Sequence, residues 1–180
     1  MASIFGHAFA AIALGKSFSK QQQTWKLFLL AILCAIIPDA DVIGFYFDVS
    51  YGSFWGHRGF SHSFIFALFF GIFITFIFYK KHFLSKKGIL LIFFFLLCTA
   101  SHSILDAMTT GGKGVAFFSP FNDSRYFFSW RPIKVSPIGI ARFFSDKGLK
   151  VLFSELIWIG IPGTLYILIT FLIQKNRKKQ

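Results

Sequence analysis

The chain has 180 residues, of which 55% are hydrophobic, 28 are Phe and only 14% are charged. A soluble protein carries roughly a quarter charged residues to keep its surface in water, so lipid is the solvent for much of this chain. The net charge of +12 comes from 19 Lys and Arg against seven Asp and Glu. Many of the lysines stand at the ends of apolar runs, where they anchor at lipid headgroups. Nucleic acid is set aside as a partner, because it needs a soluble basic face with a readable motif.

Residues 1–15 form a short apolar stretch ending at Gly15-Lys16. It is too short to cross a bilayer untilted and reads as a half-inserted or core-packed helix. With no basic n-region, and with His7 inside the apolar stretch, it is not expected to be a cleavable signal peptide. The first long apolar run covers residues 25–37 and can continue to Phe47, interrupted by Pro38, Asp39 and Asp41. A second covers residues 61–79 and a third residues 88–108. Residues 109–150 are polar, with Gly, Pro, Ser and aromatic clusters (Phe117-Phe118, Tyr126-Phe127-Phe128), and read as an ordered extracytoplasmic loop against the membrane surface. The fourth run, residues 152–173, is interrupted by Glu155 and by a Gly160-Ile161-Pro162-Gly163 kink. Cys34 and Cys98 lie inside apolar runs without a partner at metal or redox spacing, and read as buried free thiols. The expected fold is all-α: a single-domain integral membrane helical bundle over residues 1–180, with about four transmembrane helices plus a short N-terminal helix.

Orientation follows from the basic residues. Lys16, Lys20 and Lys26 precede the first crossing, Lys80, Lys81, Lys86 and Lys87 fill the turn after the second, and Lys175, Arg177, Lys178 and Lys179 follow the last. Even alternation puts these three groups on one side, expected to be the cytoplasm, and all the acidic residues on the other.

The unusual residues then fall at one depth. Asp39 and Asp41 stand at the outer end of the first crossing, His57 and His62 at the outer start of the second, and His102 and Asp106 in the outer part of the third. Ionisable residues inside membrane segments are functional by default. His102 and Asp106 are spaced i, i+4 and share a helix face, so they can ligate one ion or two neighbours. Pro38 breaks the helix before Asp39 and Asp41, which frees both carboxylates to aim at a shared point. Ser61 reads as an N-cap, with His57 in the loop before it and His62 on the first turn. Imidazole and carboxylate together suit Zn, Mn or Fe(II) better than Ca or Mg, and there are ligands enough for one or two ions. A divalent ion with an open position lowers the pKa of water, which is the nucleophile of metal-assisted hydrolysis.

Each residue alone has a plainer reading: a water-facing Asp, a His bonded to a carbonyl, an interfacial anchor. Their convergence argues for a site. His82, in the Lys-rich turn, keeps the plain reading, and His7 is either a core histidine or a further ligand. Arg58 lies between two candidate ligands and can clamp a phosphate bidentately. Arg58, Arg125, Arg131, Lys134 and Arg142 make the outer side basic, some of them as headgroup anchors. Thr109-Thr110-Gly111-Gly112 is either a helix C-terminal cap or a turn that holds backbone amides towards an anion.

These motifs resemble the YdjM-like family of predicted membrane-bound metal-dependent hydrolases. The resemblance runs from Gly6-His7 through Pro38-Asp39-Ala40-Asp41 and His57-Arg58-Gly59-Phe60-Ser61-His62-Ser63. It ends at His102-Ser103-Ile104-Leu105-Asp106 and Thr109-Thr110-Gly111. A more distant similarity is to the zinc-dependent phospholipase C superfamily, where an early His, an Asp, a His and an HxxxD helix supply metal ligands in that order. It implies His7, Asp39 or Asp41, His57 or His62, His102 and Asp106 as ligands. The chain departs from that pattern in lacking a downstream HxxxE helix, since Glu155 has no His four residues before it.

The expected function is a membrane-bound metal-dependent hydrolase, phospholipase-like, cleaving a phosphoester of a lipid or lipid-linked substrate through a metal-activated water. Asp39, Asp41, His57, His62, His102 and Asp106, with His7, are the expected ligands. A spare carboxylate, Asp39, is the expected general base, and Arg58 is expected to neutralise phosphoryl charge. The expected place is a bacterial inner membrane, with the site on the extracytoplasmic side. A metal transporter or sensor is the rival, but it needs polar residues across the whole membrane, and the cytoplasmic halves of the second and third runs are almost purely Phe, Leu and Ile. A structural membrane protein stapled by metal is the third reading.

Overall fold

A computed structural model describes residues 1–137 and 143–176. Arg142, Arg177, Lys178 and Lys179, which entered the charge argument, lie outside the described residues. Within them every regular element is helical, and the only β-type pairings are isolated bridges, Thr109 to Ile133 and Val115 to Tyr126. Helices satisfy their own backbone polar groups, which is what a lipid solvent requires.

Helix α1 (Ile4–Gly15) starts where the Ser3 hydroxyl accepts the Gly6 amide at 3.2 Å. It packs against the other helices as a core element. Helix α2 (Trp25–Ile36) is capped by Thr24 in the same way. At Pro38 the backbone tightens into a 3-10 helix, Ile37–Phe47, which extends α2 to a 23-residue apolar element, Trp25–Phe47. Pro is tolerated in a first turn, where its missing N–H has no intrahelical acceptor.

Helix α3 (Phe64–Phe78) corrects the expectation for residues 61–79 in two respects. Its N-cap is Ser63, which accepts the Phe66 amide at 3.0 Å, whereas the Ser61 hydroxyl donates to Asp41. With 15 residues it is about 22 Å long, less than a hydrocarbon core of about 30 Å. The helices long and apolar enough to cross are Trp25–Phe47, Lys86–Ala107 and Asp146–Asn176. The exposed face of α3 is nonetheless apolar, with Phe69, Phe73, Phe76 and Ile77. Gly71 brings it close to helix α4 (Lys86–Ala107): a Cβ there would sit 2.8 Å from the Ile92 carbonyl oxygen. Small residues allow such backbone approach between membrane helices.

Helix α4 is the axis of the bundle, packed against α1, α2 and α3. Leu30, Ala31, Cys34, Ile74, Phe94, Phe95 and Cys98 fill the core between these helices, and both cysteines are buried free thiols.

Helix α5 (Asp146–Glu155) begins inside the segment expected to be loop, so the irregular region is shorter than its composition suggests. A π turn, Leu156–Gly160, joins it to helix α6 (Ile161–Asn176). The kink expected at Gly160–Gly163 takes this form because Pro162 has no N–H to donate four residues back, and the helix register adjusts just before it. No residue of α6 is buried, and Leu165, Leu168, Ile169 and Leu172 are left for lipid.

The basic segments meet at one end. The Gln174 amide donates to the Lys16 and Phe18 carbonyls at 2.9 Å each, and Lys26 Nζ donates to the Phe78 carbonyl at 2.7 Å. The His and Asp residues expected as ligands lie at the opposite end, because α4 leads from Lys86 to Asp106.

Candidate metal centre

The geometry starts from two irregular segments. Asp39 and Asp41 are two apart on the 3-10 helix, so they do not share a face, and they serve different partners. Arg58 has φ of 64°, and a Cβ on Gly59 would lie 2.2 Å from the Phe54 carbonyl oxygen. Only glycine fits there, and this tight turn delivers His57, Arg58 and His62 to the end of α4.

Asp41 is saturated with donors. Its carboxylate accepts the Ser61 hydroxyl at 2.7 Å and the Arg58 amide at 3.1 Å, and contacts His57 Nδ1 at 2.7 Å and His62 Nδ1 at 3.2 Å. It therefore holds two imidazoles by their Nδ1 atoms, which is how carboxylates orient ligating histidines. His62 Nε2 is left facing His102 Nε2 at 3.0 Å, Asp39 Oδ1 at 3.6 Å and Asp106 Oδ2 at 3.7 Å.

His102 is fixed from the far side. Its Nδ1 lies 2.7 Å from the Ala35 carbonyl oxygen, an acceptor only. Nδ1 thus carries the proton and the Nε2 lone pair faces Asp39 Oδ1 at 3.3 Å. Asp106 lies one turn further on α4, with Oδ2 3.8 Å from His102 Nε2. His7 on α1 stacks on His102, ring centroids 3.8 Å apart, with Nε2 3.4 Å from Asp106 Oδ1.

Ligand atoms of Asp39, His62, His102 and Asp106 all lie within 4.8 Å of one another, and those of Asp41, His57 and His62 form a second such group. All seven residues expected as ligands, His7 included, thus belong to one continuous cluster with His62 at the junction. The donor set fits a metal on two further grounds. His7 Nδ1, His7 Nε2 and Asp39 Oδ1 are buried without a hydrogen-bond partner, although buried polar atoms are nearly always paired. With the histidines neutral, as metal ligands are, three carboxylates face one guanidinium among the side chains, an excess of two negative charges that a divalent ion balances.

Two of the histidines outside the long spans, His7 and His62, are shifted in opposite directions. Burial, helped by the neighbouring His102, pulls His7 down to about 4, so it is neutral at pH 7. Burial also opposes charge on His62, but its contacts with Asp39 and Asp41 outweigh this and push it up to about 9.

Arg58 has a different setting from the one expected. It is fully buried, Nε donates to Asp106 Oδ2 at 3.0 Å, Nη1 to the Gly111 carbonyl at 2.9 Å and Nη2 to Thr109 Oγ1 at 3.1 Å. A guanidinium spent in this way pins Asp106 and has no free fork for a phosphate. The Thr109–Gly112 turn likewise presents a hydroxyl and a carbonyl to Arg58, while the Thr110 amide goes to the Ile133 carbonyl at 2.9 Å. Arg125 braces the same loop through the His57 carbonyl at 2.7 Å, and His82 is exposed in the far turn.

Sequence reasoning missed the part played by Glu155. Its carboxylate, 4% exposed, takes the Ser3 amide and hydroxyl, and the adjacent Ala2 amide donates to Asp106 Oδ1 at 2.7 Å. The available signal was that Glu155 is the only Glu in the chain and stands in an apolar run.

Fold and site define a multi-span helical membrane protein with a buried His/Asp cluster able to hold metal. The chain belongs to the YdjM inner membrane protein family, whose model matches residues 1–177. It is 38% identical over 166 residues to the inner membrane protein YbcI of Escherichia coli (strain K12), covering 92% of this chain and 94% of that relative. No solved structure matches it.

Proposed function

We propose that this protein is a membrane-embedded, metal-dependent hydrolase that cleaves a phosphoester of a lipid or lipid-linked substrate on the extracytoplasmic side. The observation that carries the reading is the unpartnered Asp39 Oδ1 beside His62, His102 and Asp106. Asp39, His62, His102 and Asp106 would hold one divalent ion, Zn by preference with Mn or Fe as alternatives. A second ion in the Asp41, His57 and His62 group would have to displace the hydrogen bonds that now occupy Asp41. When bound, the ion supplies Lewis acidity towards water and a phosphoryl oxygen.

The chain's own residues supply the rest. Asp39 is 12% exposed whereas Asp106 is fully buried, so Asp39 is the carboxylate that water reaches and the better general base. Arg58 holds Asp106, and Asp41 holds the imidazoles, in a preorganised frame. The core beneath the site packs Leu30, Ala31, Phe94 and Phe95, which favours a closed hydrolytic site over a metal transit path.

The test is metal content by mass spectrometry of detergent-purified protein, beside a His102→Ala/Asp106→Ala variant, followed by phosphodiester turnover with Asp39→Asn. Near-stoichiometric metal lost in the folded double variant, with turnover lost in Asp39→Asn, supports the reading. A folded parent that takes up no ion from excess Zn, Mn or Fe sinks it.

A further inference from the structure

A cavity of about 520 Å³ lies between the N-terminal residues, the 3-10 helix after α2, and Ser136, Pro137, Phe143 and Phe144. That is within the size range of small-ligand pockets. Its lining is graded. Ser3, Asp39 and Ser136 are its polar, mostly buried members, whereas Ile4, Phe5 and Phe144 are exposed by 56%, 60% and 81%. In a membrane protein such exposed apolar side chains face lipid, so the cavity leads from hydrocarbon to Asp39, the partly exposed carboxylate of the metal cluster. A second cavity of about 290 Å³ shares Ser136 and Pro137 with the first and is lined by Lys134, Lys147 and Lys150.

From this juxtaposition we infer that the cavity at Asp39 is the binding site of an anionic phospholipid that enters sideways from the bilayer. The hydrocarbon lies along Phe5, Val42 and Phe144, the ester region reaches Asp39 and Ser136, and the anionic headgroup is met by the lysines beyond Ser136. The lining gradient matches an amphiphile's own gradient from tail to head, and the lysines select negative charge. The inference rests on the hydrolase reading for what happens at Asp39 and deepens it by naming the substrate class and the direction of entry.

The test is native mass spectrometry of the metal-loaded, detergent-solubilised protein with phosphatidylglycerol or phosphatidylcholine added separately. Val42→Trp fills the cavity, Lys147→Glu/Lys150→Glu reverses exposed charge without touching the core, and Leu165→Trp fills a different apolar cavity, beside α1 and α6. Expected is a retained phosphatidylglycerol on the parent and on Leu165→Trp, lost by about tenfold in affinity in Val42→Trp. In the charge-reversal variant the preference over phosphatidylcholine disappears. A parent that retains no phosphatidylglycerol, a Val42→Trp that retains it unchanged, or an unchanged lipid preference after charge reversal overturns the inference. Metal content of the same samples separates the two readings: lipid held by a protein that binds no metal sinks the hydrolase and leaves the lipid site standing. Metal held without lipid does the reverse.

Discussion

The Nε2 atoms of His62 and His102 face each other at 3.0 Å, although one residue lies in a turn before α3 and the other on α4. Each ring is held by its opposite nitrogen, His102 by the Ala35 carbonyl and His62 by Asp41. With both rings neutral, as metal ligation requires, two lone pairs are directed at one point and repel unless a cation lies between them. Without metal, the proton that Asp39 and Asp41 favour on His62 fills that place. Asp39 Oδ1 and Asp106 Oδ2 close on the same point, so the protein places negative charge around it from several elements.

Asp41 is the residue that sets this geometry. Asp41→Asn keeps the shape of the side chain but loses an acceptor for the His57 and His62 rings. We expect divalent-metal affinity to fall about 10- to 100-fold with the fold intact. Competition against a chromogenic chelator reads this, and an unchanged affinity would show that Asp41 does not orient the ligands.

Arg58 is a buried cation whose loss leaves the Asp106 carboxylate uncompensated. Arg58→Met is expected to cost about 3–5 kcal/mol, seen as a clear drop in the unfolding temperature in detergent. Arg58→Lys should rescue it only partly, because one ammonium cannot reach Asp106, Gly111 and Thr109 as the planar fork does. Equal unfolding temperatures for the parent and both variants would contradict the role assigned here.

Gly71 governs the approach of α3 to α4. Gly71→Leu must push the helices apart against the Ile92 and Leu96 backbone, at a cost of about 1–3 kcal/mol. Because His62 precedes α3 and His102 sits on α4, metal retention should fall along with thermal stability. Full retention at the parent's unfolding temperature would mean that α3 can shift without moving the site.

Glu155 ties residues 1–3 to the last span. Glu155→Ala leaves the Ser3 amide and hydroxyl unpaired, at a cost of about 1–3 kcal/mol. Faster hydrogen exchange across residues 2–8 is the expected signature, with weaker metal binding because the Ala2 amide no longer steadies Asp106. Exchange that matches the parent in that stretch would refute the tie.

The membrane class, the helical fold and the grouping of His and Asp at one end were legible in the sequence. Apolar run length, basic flanks and the i, i+4 spacing of His102 and Asp106 are local signals, and lipid removes most alternatives to helix. Division of labour within the cluster was not legible. Asp39 and Asp41 look equivalent in sequence, yet one keeps a free oxygen and the other is spent on His57, Ser61 and His62. Arg58 looked like a phosphate clamp and is instead enclosed with Asp106, 48 residues away, while Glu155 acts on Ser3 across 152 residues. These assignments depend on which side chains meet when α1, α4 and the last span pack. Local periodicity fixes the face on which a residue lies, and only tertiary packing decides what that face meets.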